Sequence, residues 1–162
     1  MTSEKPKLQI IRGLPGSGKT TLALTKYPQL MHLETDMYFY RNGAYRFTLE
    51  NNKVAVGWFR KSLREFCNRG FDFVVTGVFS AHTERLQDTI ELACSKGYEV
   101  YVKTMTSKYK SIHAVPKAHY DSMKKDFVSE NTLKNFYKDE PQIHFGLMPM
   151  EYQLAHICIS KT

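Results

Sequence analysis

The sequence predicts an α/β fold in which helices cover both faces of a mostly parallel β-sheet. Two observations support this prediction. Short apolar segments alternate along the chain with amphipathic segments of helical period, which is typical of β-α-β units. A glycine-rich loop joins the first apolar segment to the first helical one. With 162 residues, 42% of them hydrophobic, the chain is long enough for one domain with a substantial core, and we expect a single domain over 1–162.

The glycine-rich loop matches a phosphate-binding pattern at every fixed position. It reads Gly13-Leu14-Pro15-Gly16-Ser17-Gly18-Lys19-Thr20, which is the Walker A pattern G-x-x-x-x-G-K-[ST]. A predicted strand at 7–12 precedes it and a predicted helix at 20–27 follows it. This context favours a P-loop over a chance glycine-rich turn. We therefore predict a three-layer P-loop NTPase fold.

The chemistry of a P-loop assigns roles to these residues. Backbone N–H groups of the loop and of the helix N-terminus surround a phosphate chain. We expect Lys19 to reach the β- and γ-phosphates of ATP, and the Thr20 hydroxyl to be a ligand of Mg²⁺. The expected nucleotide-binding residues are Gly13, Pro15, Gly16, Ser17, Gly18, Lys19, Thr20 and Thr21.

A second predicted strand, 30–33, ends in Glu34-Thr35-Asp36. In open α/β sheets, ligands bind at the carboxyl ends of the strands. We therefore expect the Asp36 carboxylate to meet a substrate beside the phosphates. The alternative interpretation is a helix or turn cap, because Asp is common at both.

The segment 37–47 is dense in aromatic residues, with Arg41 and Arg46 interleaved. Asn42-Gly43 is a strong turn signal, which predicts a small hairpin or a mobile lid. Aromatic and arginine side chains together suit base stacking and phosphate contacts. A hydrophobic cluster under a long loop is the alternative.

The remaining elements continue the alternation. We expect helices at 51–69, at 82–96 and from Pro116 onward, and strands at 71–76, 98–103 and 157–159. P-loop proteins usually end the strand that corresponds to 71–76 in an acid that supports magnesium. Thr76 and Gly77 stand there instead, so the magnesium scaffold departs from the usual pattern.

The net charge of +7 favours anionic partners such as nucleotides or nucleic acid. Six lysines and a single acid lie between Lys103 and Lys125. No apolar run is long enough to cross a bilayer, and the N-terminus lacks the apolar centre of a signal peptide. We expect a cytoplasmic, intracellular protein without a membrane partner.

Four segments appear in the same order as in small P-loop kinases of the polynucleotide-kinase type. They are the loop 13–21, the corner 34–36, the stretch 74–97 and Ile112-His113-Ala114-Val115-Pro116. The chain resembles this family, which includes the kinase domain of bacteriophage polynucleotide kinase and AAA-like stand-alone kinases, over about 7–129. The tail 130–162 has no counterpart.

The resemblance implies ATP-dependent transfer of the γ-phosphate to a hydroxyl, classically the 5′-hydroxyl of a nucleic acid. Asp36 matches the family's proton acceptor, and Lys108 and Lys110 stand where the family has lid arginines. Arg41 and Arg46 are further candidates for substrate contacts. A nucleoside-type acceptor suits the same chemistry. The alternative, motivated by Thr76, is a nucleotide-binding or interaction module with weak or no kinase activity.

Overall fold

The computed structural model describes residues 4–41, 44–45, 48–79, 84–107 and 115–149. The strands are β1 (Lys7–Arg12), β2 (Met31–Glu34), β3 (Tyr40–Arg41), β4 (Ala44–Tyr45), β5 (Phe73–Gly77), β6 (Glu99–Thr104) and β7 (Ile143–Phe145). The α-helices are α1 (Lys19–Lys26), α2 (Leu49–Arg69), α3 (Glu84–Ser95), α4 (Lys117–Lys125) and α5 (Glu130–Phe136). A 3₁₀ helix, Thr35–Phe39, follows β2.

Five strands form one sheet in the order β2-β5-β1-β6-β7. Every pairing in this sheet is parallel, which confirms the predicted α/β class. β1 is the central strand, and Leu8, Ile10 and Ile11 on it are fully buried. Because the strands are parallel, the carboxyl ends of β1, β2 and β5 lie at the same edge of the sheet.

The core occupies both faces of the sheet. Leu8 and Ile10 belong to a cluster that includes Phe59 of α2 and Ile90 of α3. Ile11 points to the opposite face of β1. It belongs to a second cluster with residues of α1, of β5 and of the segments after α1 and β7, namely Ala23, Val74, Tyr27 and Met148. Helices on both faces give the three layers that the sequence predicts.

Several boundaries differ from the predictions. α4 ends at Lys125, and α5 begins separately at Glu130. β7 lies in a stretch to which the sequence assigned no element, because three residues are too short to show a strand period. The expected strand at 157–159 lies outside the described residues. β3 and β4 pair antiparallel, with Tyr40 opposite Tyr45, as a hairpin requires, and the turn residues Asn42-Gly43 lie outside the described residues.

A fully buried arginine ends the central strand. Arg12 Nε donates to Phe79 O at 3.1 Å, Nη1 to Thr104 Oγ1 at 3.0 Å and Nη2 to Val128 O at 2.7 Å. Its guanidinium carbon lies 4.2 Å from the Phe127 ring centroid. Burial lowers the pKa of Arg12 to about 10, against the opposing charge of Glu130. Arg12 thus joins the end of β6 to the segments that follow β5 and α4, at the edge where the P-loop begins.

Within the described part of the chain, none of the helices combines the length and the apolarity needed to cross a membrane.

We expect Arg12→Met to destabilise the fold by at least about 3 kcal/mol, because three buried or half-buried acceptors lose their donor. Arg69→Met removes an exposed ion pair with Glu65 at 3.0 Å and should cost about 0.5 kcal/mol or less. Urea unfolding followed by circular dichroism measures both. Equal midpoints for the two variants would contradict the structural role of Arg12.

Candidate active site

The loop between β1 and α1 has the backbone shape of a phosphate cradle. Gly16 and Gly18 adopt left-handed conformations, with φ of 79° and 88°, where a side chain would be strained. Ser17 N–H donates to Leu14 O at 3.1 Å, which closes the turn. Gly18 then caps the N-terminus of α1. α1 therefore begins directly after the loop, with its first amides next to Gly18.

Gly13 is required by close packing. A Cβ at this position would lie 2.4 Å from Ser17 Oγ and 3.0 Å from Met105 Cβ. Ser17 Oγ itself is buried and has no hydrogen-bond partner among the described residues. A buried unpaired hydroxyl is unusual, and a phosphate oxygen bound in the loop would accept its proton. The residues of the loop therefore fit a phosphate.

Lys19 is a buried cation on the first turn of α1. Its Nζ donates to Leu14 O at 3.0 Å. Burial lowers the pKa of Lys19 to about 8, and the nearby carboxylates of Glu34 and Asp36 oppose this shift. Lys19 is therefore mostly charged at pH 7, and a phosphate would stabilise that charge further.

Thr20 faces the end of β2 rather than the end of β5. Its Oγ1 donates to Glu34 Oε2 at 3.2 Å. Burial raises the pKa of Glu34, and Asp36 raises it further, whereas hydrogen bonds from Thr20 and Thr76 and the charge of Lys19 lower it. Sequence reasoning assigned no role to Glu34. The sequence signal that could have indicated Glu34 is an acid at the end of the second predicted strand, combined with the missing acid after the strand 71–76.

Asp36 lies in the 3₁₀ helix directly after β2 and is half-buried. Its negative charge raises the pKa values of Lys19, Glu34 and Arg85. These three groups come from α1, β2 and α3. Asp36 is thus close enough to the P-loop lysine to interact with it, and it lies at the edge where the strand-end rule predicted it.

Arg85 of α3 is a second residue that the sequence did not single out. Its Nη2 donates to Thr35 Oγ1 at 2.7 Å. Its guanidinium carbon lies 5.9 Å from the Phe59 ring centroid and 5.6 Å from that of Phe79. Burial lowers the pKa of Arg85, and Asp36 opposes the shift. Arg85 supports the corner that carries Asp36.

The other predicted site residues either make no contact that assigns them a role or lie outside the described residues. Pro15 is half-buried in the loop, and Thr21 is exposed on α1. Arg46, Lys108, Lys110 and the side chain of Arg41 lie outside the described residues. Trp58 packs against Tyr38, with ring centroids 6.1 Å apart.

No family model matches this chain. Among curated proteins, human NEDD4-binding protein 2 is 30% identical over 96 residues, which are 57% of this chain and 5% of that protein. The chain therefore spans about one twentieth of the length of this relative.

Three solved structures show the relationship at the level of the fold. The AvrRxo1-ORF1:-ORF2 complex is matched at a TM-score of 0.64 and 18% identity, over 87% of this chain and 54% of that chain. The Pnkp1/Rnl/Hen1 RNA repair complex gives 0.58 and 17%, over 77% and 45%. A gluconokinase from Sinorhizobium meliloti 1021 gives 0.51 and 12%, over 99% of both chains. This chain has the fold of the P-loop kinases.

Proposed function

We propose that this chain is an ATP-dependent kinase that transfers the γ-phosphate to a hydroxyl of a polynucleotide or nucleoside-type acceptor. The observation that carries the proposal is that the buried Lys19 ammonium at the start of α1 interacts electrostatically with the Asp36 carboxylate at the same edge of the sheet. Phosphoryl transfer depends mainly on positioning and on charge stabilisation. A cation for the phosphates beside a base for the acceptor meets this need.

The nucleotide site is supported by three donors. The amides of the loop, the unpaired Ser17 hydroxyl and the Lys19 ammonium all belong to one turn of chain. Lys19 Nζ gives one hydrogen bond to the neutral Leu14 carbonyl. A phosphate oxygen is a charged acceptor and forms a stronger bond with an ammonium. ATP binding would therefore compensate the cost of burying Lys19.

The fold also implies Mg²⁺. The donor that fits it is the Thr20 hydroxyl, a hard oxygen ligand at the start of α1. When bound with the nucleotide, Mg²⁺ supplies charge neutralisation on the phosphate oxygens.

Asp36 is the proposed general base. It accepts the proton of the acceptor hydroxyl as that oxygen bonds to the γ-phosphorus, and the β–γ bridging oxygen leaves with ADP. The 3₁₀ helix and the hydrogen bond from Arg85 to Thr35 hold the corner on which Asp36 is carried. Lys108, Lys110, Arg41 and Arg46 stay proposed contacts to the phosphates or to the acceptor.

An exposed aromatic residue supports a nucleoside-type acceptor. Tyr40 is 48% exposed. Its pKa is raised by burial and by the charges of Glu34 and Asp36, so its ring lies near both carboxylates. A base stacked on Tyr40 would bring its sugar hydroxyl toward Asp36. The net charge of +7 and the lysines between 103 and 125 favour a polynucleotide.

A second candidate is a nucleotide-binding module with little transfer. The observation in its favour is that β5 ends in Thr76-Gly77 without an acid. Such a module would bind ATP and leave acceptors unphosphorylated.

The first test is phosphate transfer from labelled ATP to an oligonucleotide with a 5′-hydroxyl. Asp36→Asn should retain ATP binding and lose transfer about 100-fold or more, because it removes the base. Asp88→Asn, on the exposed surface of α3, should transfer like the wild type. Full activity of Asp36→Asn would exclude the base role, and ATP binding without any transfer by the wild type would favour the module.

The second test uses the depressed pKa of Lys19. Its pKa is about 8 in the free protein, and a bound phosphate raises it. The protonated form is then favoured by binding, so ATP affinity should fall as the pH rises above about 8. Calorimetry at pH 8.5 in buffers of different ionisation enthalpy should detect net proton uptake. Lys26→Met should leave this uptake unchanged, and binding without proton uptake would contradict the assignment.

The third test distinguishes the acceptors. Salt should raise the KM of an oligonucleotide steeply and that of a free nucleoside little, because only the former releases counterions. Tyr40→Ala should raise the KM of either acceptor about 5- to 100-fold through lost stacking, while Tyr40→Phe, which retains the ring, should not. Steady-state kinetics at 50 and about 200 mM salt measure these effects. Equal KM values for both variants would exclude stacking on Tyr40.

A further inference from the structure

The acid at the strand ends of this site stands on β2, whereas P-loop proteins usually carry it on the strand that corresponds to β5. The strand next to β1, which commonly ends in a magnesium-supporting carboxylate, ends here in Thr76-Gly77. The strand beyond it, β2, ends in Glu34. The parallel register pairs Glu34 with Thr76 and Thr76 with Ile11. The two strand ends are therefore direct neighbours.

Contacts within the site connect this acid to the P-loop. Glu34 Oε2 accepts a hydrogen bond from Thr20 Oγ1 at 3.2 Å, and the carboxylate is also hydrogen-bonded by Thr76. His32 Nε2 lies 2.7 Å from Thr76 Oγ1 and 3.9 Å from Glu34 Oε2. The Thr76 hydroxyl thus occupies the place of the usual acid and holds the neighbouring acid in position.

We propose that Glu34 supplies the strand-end carboxylate that supports Mg²⁺ in the nucleotide complex, entering from β2 in place of the acid that β5 lacks. This proposal rests on the nucleotide-binding part of the proposed function. It adds a residue to the site for which the Walker A pattern gives no signal.

The hydrogen bond between Thr20 and Glu34 is compatible with this role. The Thr20 hydroxyl donates its proton to the carboxylate, which leaves the lone pairs of its oxygen for a metal ion. Partners that orient a ligand in this way often determine metal affinity. Mg²⁺ in nucleotide sites typically uses one or two carboxylates together with phosphates and waters. One half-buried glutamate beside a threonine satisfies that requirement.

The position of Glu34 also separates it from Asp36. Glu34 is the last residue of β2 and contacts the first turn of α1, whereas Asp36 belongs to the following 3₁₀ helix. Two carboxylates at one strand end thus have different neighbours. Glu34 serves the metal side of the phosphates, and Asp36 serves the acceptor side.

The test measures binding without turnover. A fluorescent ATP analogue is titrated in EDTA and then in Mg²⁺, and Mn²⁺ affinity of the nucleotide complex is followed by electron paramagnetic resonance. Glu34→Gln should bind the analogue in EDTA within about threefold of the wild type. It should lose the enhancement by Mg²⁺ and bind Mn²⁺ about 10- to 100-fold more weakly.

Two variants complete the design. Asp36→Asn should retain the Mg²⁺ enhancement although it loses transfer. Glu34→Asp, which retains the charge, should show at least part of the Mg²⁺ enhancement of analogue binding. If Glu34→Gln does not bind the analogue in EDTA, Glu34→Asp replaces it in the test. Full enhancement in Glu34→Gln, or an aspartate variant that shows none, would overturn the role of Glu34.

The outcomes separate the two proposals. Phosphate transfer by the wild type with no effect of Glu34→Gln on metal binding would reject only the role of Glu34. Loss of metal affinity in Glu34→Gln, with no transfer by the wild type to any hydroxyl acceptor, would reject only the kinase function.

Discussion

The parallel pairing of β1 with β5, and of β5 with β2, is the constraint on which the site depends. It brings three strand ends to one edge of the sheet, where the P-loop leaves β1. Arg12 then stabilises this edge from inside, because its buried guanidinium binds the end of β6 and the segments after β5 and α4. The candidate site thus lies at the sheet edge that is fixed both by parallel strand pairing and by the buried Arg12.

Charge within the site is arranged around one buried lysine. Lys19 is desolvated, and the carboxylates of Glu34 and Asp36 compensate part of that cost. The same two acids repel each other, which contributes to the raised pKa of Glu34. Arg85 adds a half-buried positive charge that interacts with Asp36. The two cations and the two carboxylates of this arrangement balance in formal charge.

The fold alone does not define a substrate, because similar folds occur in a gluconokinase and in an RNA repair complex. Specificity must come from residues around the common phosphate site. In this chain the described residue best placed for that role is Tyr40, on the short hairpin that follows Asp36. β3 and β4 form a sheet of their own, separate from the five-stranded sheet.

The sequence by itself determined the phosphate loop and the corner that carries Asp36. Gly16 and Gly18 fix local backbone geometry, which a short pattern records together with the Lys19 that follows them, and the position of Asp36 follows from the rule for strand ends. The contact of Thr20 with Glu34 and that of Arg85 with Thr35 join residues 14 and 50 positions apart. Only the tertiary structure decided these contacts, because they depend on β5 lying between β1 and β2, and the order of strands in a sheet is not written in their order along the chain.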